Sequence, residues 1–255
     1  MIPLGVSAPP TAQRPWVTAA LLLLVAQVFV HVLLLRDGPP VPYCSDLFES
    51  ARAARPSADT VQGLVCRFGA IPDELHQGHR LVTLLTATFV HTGWLHVLAN
   101  LLFLAAFGPR VEEDLGHAGL LALFLGGAVL SGVVHVLVVP DLVVPSIGAS
   151  GGVAAVLGAH LLLAKGASVR VLVGPLPVRL PTRFVLGLWV GLQLLYTGLS
   201  LRRASYSSVS YEVHVAGFTV GLVVVAVALG LRPHLRRWRP PRPVRVRDGR
   251  AVAGR

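Results

Sequence analysis

The chain has little charge. Only 13% of its 255 residues are Asp, Glu, Lys or Arg, against about 25% in a soluble domain. With 54% hydrophobic residues and a mean hydropathy of +0.69, this is the composition of a membrane protein. Cysteine is scarce too. Cys44 and Cys66 are the only two, both fall in one polar loop, and neither belongs to a CxxC or Cys/His metal pattern. HExxH is absent, which removes the simplest zinc-hydrolase arrangement. No metal and no cofactor is therefore expected. The first apolar run lacks a small-residue cleavage site, so it reads as an anchor that stays. The net charge of +10 is not a nucleic-acid footprint, because nine arginines sit between Arg232 and Arg255 among prolines. Residues 232–255 read as a basic, disordered cytosolic tail held near anionic headgroups.

Long apolar runs are what the chain does have. A crossing needs about 20 residues, and six spans fit: Trp16–Leu35, Leu81–Phe107, Leu120–Val139, Ser150–Ala164, Phe184–Leu199 and Val213–Leu231. The expected fold is an all-α bundle of six transmembrane helices over residues 16–231. Residues 1–15 form a cytosolic N-terminal segment, and residues 36–80 an extracytoplasmic first loop. With both termini cytosolic, the inner segments hold 15 basic residues and the outer ones 7, as the positive-inside rule requires. Multi-pass insertion in the cell membrane follows.

Three polar sites break the apolar pattern: His96 with Asn100, Ser150 within Gly148-Ala-Ser-Gly-Gly152, and His214. Polar groups at membrane depth are costly and point to function. The topology puts all three in the outer half of their helices. The fourth span is short, about 22 Å at 1.5 Å per residue, against about 30 Å of hydrocarbon. Val139–Ile147 must therefore dip into the membrane, which is tolerated only when buried in protein or lining a wet cavity. A serine hydroxyl needs a base to take its proton, and His214 suits that role. His96, Asn100 and the Ser150 N–H are donors of the kind an oxyanion hole uses. Gly151 and Gly158 on the fourth span, with Gly217 and Gly221 on the sixth, form a small-residue seam for close packing. The nearest acids, Glu212 and Asp141, lie at loop ends, so a Ser-His dyad without an acid is expected. No acidic residue falls inside any predicted span.

The run His91-x4-His96-x3-Asn100, then Gly108-x3-Glu112 and Leu115-Gly116, resembles the second helix of the rhomboid intramembrane serine proteases of bacterial type. Ser131-Gly132, Gly148-Ala-Ser150-Gly151 and His214-x2-Gly217-x3-Gly221 resemble later motifs of that family, in the same order. The resemblance implies a bundle whose short central fourth helix carries the nucleophile Ser150, with His214 as base and His96, Asn100 and the Ser150 N–H holding the oxyanion. It implies endopeptidase activity on transmembrane protein substrates in the bilayer, near their outer ends, without cofactor. The first loop lacks the family's Trp-Arg pair. Ala154 stands where an aromatic residue often supports the catalytic histidine. A bridge between Cys44 and Cys66 would brace the first loop if that side is oxidising. Two rivals remain: an inactive client-binding protein of the same fold, and a small transporter. Oligomeric state is not legible.

Overall fold

The computed structural model describes residues 2–7, 14–35, 44, 59–164, 166–203, 209–231, 245–247 and 250–252. Strand β1 (Ile2–Ser7) leads to helix α1 (Trp16–Leu34), then to short helices α2 (Val61–Phe68), α3 (Pro72–His76) and α4 (Thr83–Thr86). Helices α5 (Trp94–Val138) and α6 (Ser150–Leu163) come next, followed by strands β2 (Ser168–Val173) and β3 (Leu176–Pro181). Helices α7 (Thr182–Arg203) and α8 (Tyr211–Leu231) and the small hairpin β4 (Arg245–Arg247) with β5 (Arg250–Val252) complete the order. Much of the first loop and most of the basic tail lie outside the described residues.

Among the described residues four helices are long and apolar enough to cross a membrane: Trp16–Leu34, Trp94–Val138, Thr182–Arg202 and Tyr211–Leu231. In α1 the buried residues Thr18, Leu21, Val25, Phe29 and Val32 make a single stripe. Leu23, Leu24, Val30 and Leu33 are exposed on the other faces. An apolar helix covered by protein along one stripe needs lipid around the rest. The chain is a multi-pass membrane protein.

Helix α5 has 45 residues. At 1.5 Å per residue it would reach about 68 Å, twice the hydrocarbon thickness of about 30 Å. It is broken at Gly116, whose φ of 78° and ψ of 168° belong to a region that essentially only glycine occupies. Two arms result, one carrying His96 and Asn100, the other Ser131 and His135. The predicted span Leu81–Phe107 therefore starts too early, and Leu120–Val139 is the second arm of this element. Residues 81–93 instead form α4, a 3₁₀ turn at Ala87–Phe89 and extended backbone through Gly93. Thr83 Oγ1 donates to the Arg80 carbonyl and Thr86 Oγ1 to the Phe68 carbonyl, which ties this short helix to α2. Helix α7 is longer than the predicted Phe184–Leu199.

The expectation of an all-α chain also needs correction. Strands β1, β2 and β3 form an antiparallel sheet in that order. In β2, Val169 and Val171 are buried and Arg170 between them is exposed, the period-two alternation of a half-buried strand. Gly174, at φ 57°, turns the hairpin into β3.

The start of α1 has no capping side chain of its own, and its first N–H groups need acceptors. Glu112 supplies them across the fold. Its carboxylate accepts from Val17 N at 2.8 Å, Thr18 N at 2.8 Å and Thr18 Oγ1 at 2.6 Å. His117 Nδ1, just past the Gly116 break, lies 2.5 Å from the same carboxylate. Gly108 makes the approach possible, since a Cβ there would sit 2.9 Å from Thr18 Cγ2. Glu112→Ala leaves these donors unsatisfied and is expected to destabilise the fold by about 1–3 kcal/mol. The SDS-denaturation midpoint should fall, and an unchanged midpoint would remove the cap from this account.

Cys44 and Cys66 are joined by a disulfide, with Cα atoms 5.5 Å apart, and both are buried against Ile71. A closed loop of that size contributes about 3 kcal/mol. The expected result is that thiol alkylation changes the mass only after reduction; adducts on unreduced protein would contradict the bridge.

Candidate active site

The segment between α5 and α6 is non-helical, so its polar backbone needs partners. The strip from Ala70 to Ala87 provides them. Ala70 and Ser146 exchange backbone hydrogen bonds at 3.0 and 2.8 Å, Asp73 N–H donates to the Leu142 carbonyl at 3.1 Å, and Gly148 N–H to the Ala87 carbonyl at 2.9 Å. Gly148, at φ 115°, is required twice over. Its backbone conformation disfavours other residues, and a Cβ would lie 2.5 Å from His96 Nε2.

His91 fastens the turn into α6. Its Nδ1 faces the Phe89 carbonyl at 3.3 Å, so the proton sits there and Nε2 accepts. That Nε2 receives Ala149 N–H at 3.2 Å and Asn100 Nδ2 at 3.2 Å. Asn100 Nδ2 also donates to the His96 carbonyl at 3.0 Å. The amide protons of Asn100 are thus directed at His91 and His96, not at open space.

Ser150 is the first residue of α6, and every residue from Gly151 to His160 is buried. Its N–H stands at the helix start, where free donors and the dipole favour negative charge. His214 lies one turn into α8. Both line a cavity of about 980 Å³, together with His96, Asn100, Trp189 and Glu212. Among the described residues no hydrogen bond joins Ser150 Oγ to His214. The ring is engaged elsewhere, with Nδ1 2.7 Å from Gln193 Oε1. Trp189 lies beside it at 5.9 Å between centroids and 32° between planes, and Tyr211 meets it edge-on at 6.3 Å.

Sequence reasoning assigned no role to Gln193, His135 or Glu212. Glu212 belongs to the first turn of α8 rather than to a loop end, and its Oε1 lies 2.8 Å from His135 Nδ1. Gln193 stands in the middle of an apolar span, and that is the signal that could have found it. Among the described residues no His, Cys, Asp or Glu group suited to a metal converges.

Glycines bring α6 and α8 together. An added Cβ on Gly217 would strike the Gly151 carbonyl, on Gly221 the Ala155 carbonyl, and on Gly158 the Phe218 carbonyl; on Gly151 it would meet Ser131 Oγ. Gly230, on the same helix α8, has open space where its Cβ would point. Gly217→Leu must push the helices apart and is expected to cost about 3 kcal/mol or more, while Gly230→Leu stays near neutral. Equal SDS-denaturation midpoints for the two variants would show that the seam does not hold the bundle.

Comparison with known proteins shows which family the chain belongs to. The model of the Rhomboid domain matches residues 78–231. Rhomboid-like protein 11, chloroplastic, of Arabidopsis thaliana is 34% identical over 143 residues, covering 55% of this chain and 50% of its own length. RHOMBOID-like protein 7 of the same plant is 23% identical over 231 residues, covering 86% of this chain and 68% of its own. RHOMBOID-like protein 1 is 28% identical over 163 residues, covering 58% and 39%. The chain thus spans about half the length of the first of these relatives. The matched region contains α5 to α8 and every residue that lines the floor of the cavity, and the chain belongs to the rhomboid family.

Proposed function

We propose that the protein is an intramembrane serine endopeptidase that cleaves transmembrane substrates near their outer ends. The observation that carries this reading is the meeting of Ser150, His214 and His96 on one cavity inside a bundle of apolar helices. Ser150 Oγ attacks the scissile carbonyl carbon while His214 Nε2 takes its proton. The Ser150 N–H and His96 hold the developing oxyanion, and Asn100 joins them by releasing one of its present bonds. His214 then protonates the leaving amine, and a water deprotonated by the same ring hydrolyses the acyl-enzyme.

The two arms of α5 are read as separate crossings, which makes six with α6 as the short one. The sheet supports both termini being cytosolic: β1 pairs with β2, so the N-terminus and residues 168–181 share a side. The Glu112 cap, which ties the Gly116 turn to the start of α1, lies at the same end. The cavity opens at the other.

A non-catalytic rhomboid-fold protein that binds membrane clients would use the same cavity, and the absence of a Ser150–His214 hydrogen bond favours it. Labelling with a serine-directed fluorophosphonate separates the two. Wild type should be labelled, and Ser150→Ala and His214→Ala should lose at least about 10³-fold in rate. Unlabelled folded wild type, or labelling that survives in Ser150→Ala, would defeat the protease reading.

A further inference from the structure

Helix α7 is the least covered of the long helices, with 17% of its apolar stretch buried against 28% to 39% for the others. Gln193 is nevertheless a buried polar residue on it, 9% exposed. A glutamine buried in an apolar setting needs partners for both ends of its amide. Its Nε2 donates to the Trp189 carbonyl one turn back, at 3.4 Å. That leaves Oε1 aimed at His214 Nδ1, at 2.7 Å. One turn of α7 thus presents the imidazole with an oriented amide and with the Trp189 ring.

We propose that Gln193 is the positioning residue for His214, a neutral third member in the place where a triad carries an acid. The inference rests on the protease reading. A carboxamide oxygen can only accept, so the ring proton is held on Nδ1 and Nε2 is left with the lone pair that must face Ser150. When Nε2 takes the serine proton the ring becomes a cation, and the amide dipole stabilises it without a second buried charge. A third group that orients the base is the general logic of such sites. Among the described residues, Glu212 on the same helix, paired to His135, and His96 on α5 are the other titratable groups that act on the ring. Trp189 completes the seat as a tilted ring beside the imidazole, 5.9 Å away between centroids.

The test is the rate of fluorophosphonate labelling of Ser150 in detergent-solubilised full-length protein, followed between about pH 5 and 9. Gln193→Leu removes the acceptor at similar volume and should label about 10–100-fold more slowly. Gln193→Glu keeps an acceptor and adds a negative charge, which favours the imidazolium. Because labelling requires the neutral ring, its rise with pH should move upward by about one unit or more. A residue that only fills space would not produce that shift. If Gln193→Leu does not fold, the Gln193→Glu profile decides alone. Wild-type rates and a wild-type pH midpoint in the folded variants would overturn this assignment and leave the protease reading standing. Unlabelled wild type would remove both.

Discussion

Helices α6 and α8 approach backbone to backbone, and the placing of every polar group in the cavity depends on that approach. Lipid tails are as apolar as leucine, so close contact must come from packing rather than from a drive to escape water. Glycines at Gly158, Gly217 and Gly221 set the distance at which carbonyls on one helix meet bare Cα atoms on the other, while Gly151 makes room for Ser131 of α5. Ser150 starts one of these helices, and His214 precedes the first glycine of the other by three residues. A wider spacing would leave both residues in place on their own helices and move them apart across the cavity they line.

Around that contact several buried polar groups are handled in pairs or networks, although among the described residues both ring nitrogens of the buried His160 have no partner. The irregular backbone before α6 is bonded to the strip from Ala70 to Ala87. His91 holds Ala149 and Asn100, Glu112 holds the start of α1, and Glu212 holds His135. Each removes a cost that an unpaired group would incur at that depth. Ser150 and His214 both line the cavity, where the proposed chemistry needs them.

The parts legible in the sequence are those governed by short spacings. One apolar run after another marked the helices, and four-residue intervals put His96 with Asn100 and Gly217 with Gly221 on common faces. The non-helical stretch before Ser150 followed from arithmetic on a short span. Partners contributed by distant elements were not legible. Nothing near His214 points to Gln193, 21 positions away, and nothing near Glu112 points to Thr18, 94 positions away. The start at Trp94 was hidden because hydropathy registers apolar length and not the break in the helix at residues 90–93. The sheet was hidden because attention rested on apolar length, although Val169-Arg170-Val171 alternates plainly. Ala154 suggested a poorly supported histidine. The support comes from another helix, through Trp189.

The cap on α1 has a consequence for how the chain is built. Helix α1 is synthesised before α5, yet the acceptor for its opening N–H groups is Glu112, which emerges from the ribosome some 94 residues later. Strand β1 waits longer still, for β2 at Ser168–Val173. Until the first arm of α5 has entered the bilayer and Gly116 has turned it back, the start of α1 has only water or headgroups to satisfy it. The start of α1 is therefore locked only after the first arm of α5 has arrived, and β1 only after β2, so bonding at this end of the bundle records the arrival of both.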